Sequence, residues 1–235
     1  MFQTYPLDLH EIRARIASSL GLKDLASCAH VSQDWNNSFT PPLYNSVVFS
    51  KHGLSMDFLE RNKHLVQHLK TQSSAYEILS SSESYKVISI MANSTIITLD
   101  LYGISIGPNE SQAMAEALMT NSTLTTLTVS GDSIESNRAV ALAEALKTNS
   151  TLTNLNLGSN SIGPNGAQVL AETLKANSTL TSLYLWNNSI GDNGAQALSD
   201  AIKINSTLIT LDCRVPLSNT TELRRCLRHS RPTRL

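Results

Sequence analysis

Between residues 93 and 217 the apolar positions recur in blocks of 28. In one block Leu152, Leu155 and Leu157 stand at i, i+3 and i+5, and the alternation of 155 with 157 is the period of a short strand. Asn160 and Ile162 complete an LxxLxLxxNxI pattern. Ala167, Leu170, Ala171 and Leu174 then follow at helical spacing, with Pro164 near the start. Each block therefore predicts one strand and one helix, and their repetition predicts an α/β solenoid.

Every block opens on the triplet Asn-Ser-Thr, at Asn93, Asn121, Asn149, Asn177 and Asn205. The triplet is an acceptor pattern for N-glycosylation. A strict 28-residue interval gives it a different meaning, as the helix stop and strand entry of each unit. On backbone preference, Asn177 is expected in the left-handed conformation that closes a helix, with Ser178 and Thr179 leading into the next strand. A second asparagine, in the turn after the strand, is present as Asn160 and Asn188, whereas Ile104, Asp132 and Pro216 occupy the matching positions.

This unit resembles the leucine-rich repeat family, and its length resembles the ribonuclease-inhibitor-like subclass. The resemblance covers residues 93–217 and implies parallel strands on a concave face with helices on the convex one. A single repeat cannot bury its own apolar face, so the stack needs caps. Residues 218–235 supply a capping helix and tail, in which Asn219 and Glu222 suit a helix start and Leu223 and Leu227 fall four apart. Six arginines from Arg214 to Arg234 face one acid, Glu222; they read as a solvated helix face and frayed end or as a basic docking tail.

Residues 1–45 have another texture. Ile12, Ile16 and Leu20 make a helical stripe, Gly21 interrupts it, and Asp24 opens a second helix carrying Leu25 and Cys28. Pro6 and Leu7, Ile12 and Ile16, Leu20 to Leu25, Val31 to Trp35 and the closing Leu43-Tyr44 together resemble an F-box. The resemblance implies a small all-α module in which Pro6, Leu7, Ile12, Ile16, Leu20, Leu25, Val31 and Trp35 bind a Skp-type adaptor. Leu9-His10 displaces the acid that follows the Leu-Pro start in that family, so "F-box-like" is the fitting term; the other reading is a helical cap for the solenoid. Residues 46–92 form irregular repeats or an N-terminal cap, with "SVVF" and "HLVQHLK" as strands and "SMDFLERN" and "SSESYKVISIMA" as helices. Glu60, His64 and His68 would share one face if that stretch were helical; a metal site needs a fuller ligand set, and none is assigned.

Composition narrows the function. A formal charge of −1 gives no global basic bias toward nucleic acid or anionic membrane. Asp8, Glu11 and two arginines interrupt the N-terminal stretch where a signal peptide needs apolar residues, and no segment reaches the ~18 apolar residues of a membrane span. An intracellular, cytoplasmic or nuclear, protein is expected. Cys28, Cys213 and Cys226 are odd in number and widely spaced, which suits neither a disulfide framework nor zinc. "GPNGAQ" belongs to the repeat turn and lacks the Lys-Ser/Thr of a phosphate loop, and no serine or cysteine sits in a nucleophile motif. No cofactor and no enzymatic activity are expected.

Recognition remains. Outward positions of successive strands stack in columns: Thr98, Thr126, Asn154, Ser182 and Thr210; Asp100, Thr128, Asn156, Tyr184 and Asp212; Tyr102, Ser130, Gly158, Trp186 and Arg214. Five strands span about 20 Å, enough for a peptide or a small protein surface. Aromatic and arginine side chains dominate interface energies, so the expected protein-binding residues are Asp100, Tyr102, Asn156, Tyr184, Trp186, Asn187, Asp212 and Arg214. Together the two resemblances imply a non-catalytic substrate receptor of an SCF-type ubiquitin ligase. The alternatives are a stand-alone repeat scaffold and a regulator of a small GTPase.

Overall fold

A computed structural model describes residues 45–49, 59–60, 63–71, 81–93, 95–102, 104, 106–131 and 134–214. The F-box-like positions Pro6 to Trp35 and the C-terminal segment 215–235 lie outside the described residues. The elements are β1 (Ser46–Phe49), β2 (His68–Thr71), α1 (Ser81–Ile90), a 3-10 turn (Met91–Asn93), β3 (Thr98–Asp100), α2 (Pro108–Thr120), β4 (Thr126–Thr128), α3 (Ser136–Thr148), β5 (Asn154–Asn156), α4 (Gly163–Ala176), β6 (Ser182–Tyr184), α5 (Gly191–Ile204) and β7 (Thr210–Asp212). The seven strands form one sheet in chain order, parallel throughout. No helix of the described residues is long and apolar enough to cross a membrane.

The 28-residue period appears directly as sheet register. Leu99, Leu127, Leu155, Leu183 and Leu211 are consecutive partners across β3 to β7. They point beneath the helices, are at most 8% exposed, and leave their strand neighbours on the opposite, helix-free face. Burying each leucine stabilises the fold by about 1.5–3 kcal/mol. The helices meet them with Leu170, Ala171 and Leu174 in α4 and Leu198, Ala201 and Ile202 in α5.

Small residues set the spacing of the helices. A Cβ at Gly166 would lie 3.3 Å from Ser136 Cα, and one at Gly194 would lie 2.8 Å from Ala167 Cβ, so each helix nestles against the one before it. Even close helices stand about 8–10 Å apart, twice the ~4.8 Å between strands. That mismatch bends the stack and makes the helix-free face the concave one. With seven strands the face spans about 29 Å, wider than the five strands expected from the repeat alone.

The block-opening asparagines act differently from the expectation. Asn121, Asn149, Asn177 and Asn205 have φ between −73° and −66° and ψ between 126° and 129°, extended and not left-handed. Their amides do the work. Asn177 Oδ1 accepts from the Thr179 and Leu180 N–H groups at 3.1 and 2.8 Å, while its Nδ2 donates to Leu146 O in the previous repeat at 2.8 Å. Asn149 makes the same bonds to Thr151, Leu152 and Leu118. The ladder satisfies a helix-end carbonyl and two strand-entry amides in every rung, groups that would otherwise be buried without partners.

The turn asparagines Asn160 and Asn188 form a second ladder. Asn160 Nδ2 donates to Leu157 O and Val129 O at 2.9 and 2.8 Å, and its Oδ1 accepts from Ile134 N at 3.0 Å. At the matching upstream position Ile104 is 1% exposed and packs in the core. Upstream of the regular repeats, His68 lies on β2 with Nδ1 against Thr98 Oγ1, Glu60 sits in a helical turn and His64 in a separate turn. The shared helix face considered for these three residues is therefore not formed. Among the described residues no cluster of three or more His, Cys, Asp or Glu side chains has metal-binding geometry.

Candidate functional site

The helix-free face is assembled from the two residues that flank each buried leucine, both half-buried in β3 to β6. Its middle is polar: Thr126 and Thr128 on β4, Asn154 and Asn156 on β5. Its two ends carry charge. Toward β2, Lys70 Nζ lies 3.3 Å from Asp100 Oδ2. Toward β7, Arg214 holds Asp212 with two parallel bonds, Nε to Oδ1 at 2.9 Å and Nη2 to Oδ2 at 2.7 Å. The Asp212 side chain is 12% exposed and that of Arg214 66%, so the carboxylate anchors the guanidinium and leaves it facing solvent. Hydrogen bonding to Asp212, then its negative charge, raises the Arg214 pKa above its ordinary value.

Trp186 is placed by an absence. A Cβ at Gly158 would overlap the Trp186 indole at Cε2, Nε1 and Cζ2, so the ring lies on the bare backbone of the neighbouring repeat. Gly158 N in turn donates to Asn156 Oδ1 at 2.9 Å, which fixes the turn beneath the ring. The segment after Trp186 is pinned on both sides. Trp186 O accepts from Ser159 N at 2.8 Å, and Asn187 N donates to Arg214 O at 2.7 Å. Asn187 is exposed with φ 57°, in the left-handed region that asparagine tolerates, and its Nδ2 donates to Ser159 Oγ at 3.2 Å.

Six of the eight expected recognition residues come together here: Asn156, Tyr184, Trp186, Asn187, Asp212 and Arg214 on β5 to β7 and the turns that follow them. Asp100 and Tyr102 do not join them. They belong to β3 and its turn, three strand spacings or about 14 Å from β6. Asp100 is engaged by Lys70, and Tyr102 stands 54% exposed. The third expected column is also interrupted, because Ser130 is 1% exposed with Oγ donating to Gly158 O at 2.7 Å, and Gly158 lies under the indole.

Sequence reasoning missed the parts played by Gly158, Ser159 and Lys70. The one available signal was a glycine in a column of side chains, one repeat ahead of a tryptophan. Chemically the patch offers an indole edge, a phenol, amides and a guanidinium, a set suited to contact. Grooves on the opposite side run between α1 and α2, past Tyr85 and Glu116, and between α4 and α5, past Glu172 and Asp200.

The family profile described as Leucine Rich repeat matches residues 148–171 and 176–199. Among solved structures, leiomodin-1 actin-binding site 2 is 24% identical with a TM-score of 0.51, covering 66% of this chain and 91% of that one. The tropomodulin C-terminal domain of Caenorhabditis elegans is 16% identical with a TM-score of 0.54, covering 64% and 92%. A search of curated proteins gave no match. Residues 148–199 thus carry leucine-rich repeats, and the α/β architecture around them is that of a leucine-rich-repeat solenoid.

Proposed function

We propose that this chain is a non-catalytic protein-recognition module and that its partner docks on the concave face at β5 to β7, over Tyr184, Trp186 and Arg214. One observation carries the reading: an indole seated against Gly158 beside an anchored, solvent-facing arginine. Such a group is held in its bound geometry before a partner arrives, which reduces the ordering cost of binding. The leucine-rich-repeat fold supports protein binding as the general role. The likeness to leiomodin-1 actin-binding site 2 is one of fold; it makes monomeric actin a reasonable first probe.

A photo-crosslinking residue at position 184, in cells, tests the site. Discrete protein adducts should form there, should fall at least fivefold when Trp186→Ala is added, and should be absent from a probe at Gln168 on the helix side. Trp186→Ala should leave the melting temperature within a few degrees, since the ring is only half-buried. Adducts that ignore Trp186, or a variant that loses stability while keeping its adducts, contradict the assignment.

The finer assignment, a substrate receptor of an SCF-type ligase with repeats of the ribonuclease-inhibitor-like subclass, rests on sequence: the 28-residue unit and the F-box-like series Pro6, Leu7, Ile12, Ile16, Leu20, Leu25, Val31 and Trp35. Co-purification with a Skp-type adaptor tests it. Wild-type chain should bind and a folded Ile12→Asp/Leu20→Asp variant should not; a folded wild type without binding leaves a recognition scaffold with a helical cap.

A further inference from the structure

Four asparagines of the Asn-Ser-Thr series are buried in the described repeats: Asn121, Asn149, Asn177 and Asn205. In an unfolded chain each is an acceptor. In the fold the same nitrogen is occupied. Asn149 Nδ2 donates to Leu118 O at 2.8 Å and Asn121 O at 3.3 Å; Asn205 Nδ2 donates to Leu174 O at 2.6 Å and Asn177 O at 2.9 Å. Asn121 Nδ2 donates to Met91 O and Asn177 Nδ2 to Leu146 O. The four residues are between 4% and 8% exposed.

We infer that glycosylation at these asparagines and folding of the solenoid are mutually exclusive fates of one chain. Transfer joins Nδ2 to the anomeric carbon of an oligosaccharide carried on a lipid diphosphate. The sugar–phosphate C–O bond breaks, the lipid diphosphate leaves, and one Nδ2 proton is lost. The product retains a single N–H, so Asn149 and Asn205 can no longer serve two carbonyls. The sugar also has no room at a nitrogen packed between two repeats. Each modified rung leaves a buried carbonyl short of a donor and wedges neighbouring repeats apart, and a solenoid is stable only through those neighbour contacts.

The contrast within the chain is informative. Asn187, with Asn188 and Ser189, is another triplet, and both Asn187 and Ser189 are exposed on a turn. Asn187 Nδ2 makes only its surface bond to Ser159 Oγ. It is an acceptor the folded chain can offer without loss, whereas the four ladder asparagines are acceptors only before folding.

The test adds a secretion signal peptide to the full chain in a glycosylating host, separates the product on a lectin, and maps the glycans by mass spectrometry. Molecules bearing a glycan at any of the four asparagines should lack a cooperative melt and fall to protease. Molecules that carry no glycan, or a glycan at Asn187 alone, should melt like cytosolic protein. A product entirely unmodified at the four and fully folded also obeys the exclusion, provided that a Leu155→Asp chain, which cannot bury its strand, is modified at them. A rescue variant combines Ser122→Pro, Ser150→Pro, Ser178→Pro and Ser206→Pro. Proline there abolishes the acceptor pattern, the four serines are exposed, and the asparagine ψ values of 126° to 129° suit a residue before proline. Its folded yield from the secretory route should exceed the parent's several-fold at equal cytosolic yield. The lectin separation decides the matter if that variant does not fold. Parent molecules glycosylated at Asn149 and Asn205 with the cytosolic melt, or a Leu155→Asp chain left unmodified, overturn the inference.

Discussion

The repeats spanning 149–204 and the one spanning 93–120 share one sheet register but fill the turn-asparagine position differently. In the downstream pair, Asn160 and Asn188 each satisfy carbonyls in two successive repeats and accept an amide from the earlier one. Upstream, Ile104 fills the same place with apolar volume, and Arg138 reaches back from α3 to donate from Nη1 to Ile106 O at 2.9 Å. A solenoid turn can thus be closed by a buried amide or by a hydrocarbon with a long guanidinium arm. The amide is the tighter solution, because one short side chain joins two repeats at once. The family profile falls on the two repeats that have it, and so does the aromatic patch.

The largest test of that contrast is Asn160→Leu. It leaves Val129 O and Ile134 N without their partner, while Leu157 O keeps its bond from Asn188 Nδ2, and should destabilise the protein by about 3 kcal/mol in denaturant unfolding, since each buried unsatisfied group costs about 1–3 kcal/mol. A loss under 1 kcal/mol would mean that the turn asparagine fills space as Ile104 does. Arg138→Met keeps the hydrocarbon stem and removes the donor to Ile106 O, so about 1 kcal/mol is expected by the same measurement. The smallest effects belong to the exposed pairs Lys147–Glu144 in α3 and Lys175–Glu172 in α4, which have the same 2.6 Å geometry. Alanine at either lysine should cost only a few tenths of a kcal/mol, equal in the two regions; unequal losses would show that the regions differ in more than their turns.

Much of this was legible from the 28-residue period. It located β3 to β7, the helices between them and their register, because each strand pairs with the residue one period away. β1 and β2 carry no such signature: Asn45 meets Gln67 at a separation of 22 residues and His68 meets Thr98 at 30. A fixed-period search passes over unequal spacings, although the same sheet continues through them. The block-opening asparagines were located correctly and explained wrongly. Backbone preference knows only the local chain, whereas Asn177 is held in an extended conformation by a bond to Leu146, 31 residues earlier. The site was half legible for a similar reason. Tyr184, Trp186 and Arg214 stand out by type, but the seat of the indole is Gly158, and a glycine advertises nothing until the ring above it is seen.

The functional weight of the comparison is that a recognition patch works best on rigid support. Native-state amide hydrogen exchange tests this most directly, through the N–H groups that the asparagines engage. Ile162, bound to Asn188 Oδ1, and Leu180, bound to Asn177 Oδ1, should open only near the global unfolding free energy. Leu124 and the β3–β4 amides should open at least about 1 kcal/mol lower, because no turn asparagine stands at Ile104. Equal protection throughout, or greater protection upstream, would contradict the claim that the asparagine ladder makes residues 149–214 the rigid platform beneath Trp186.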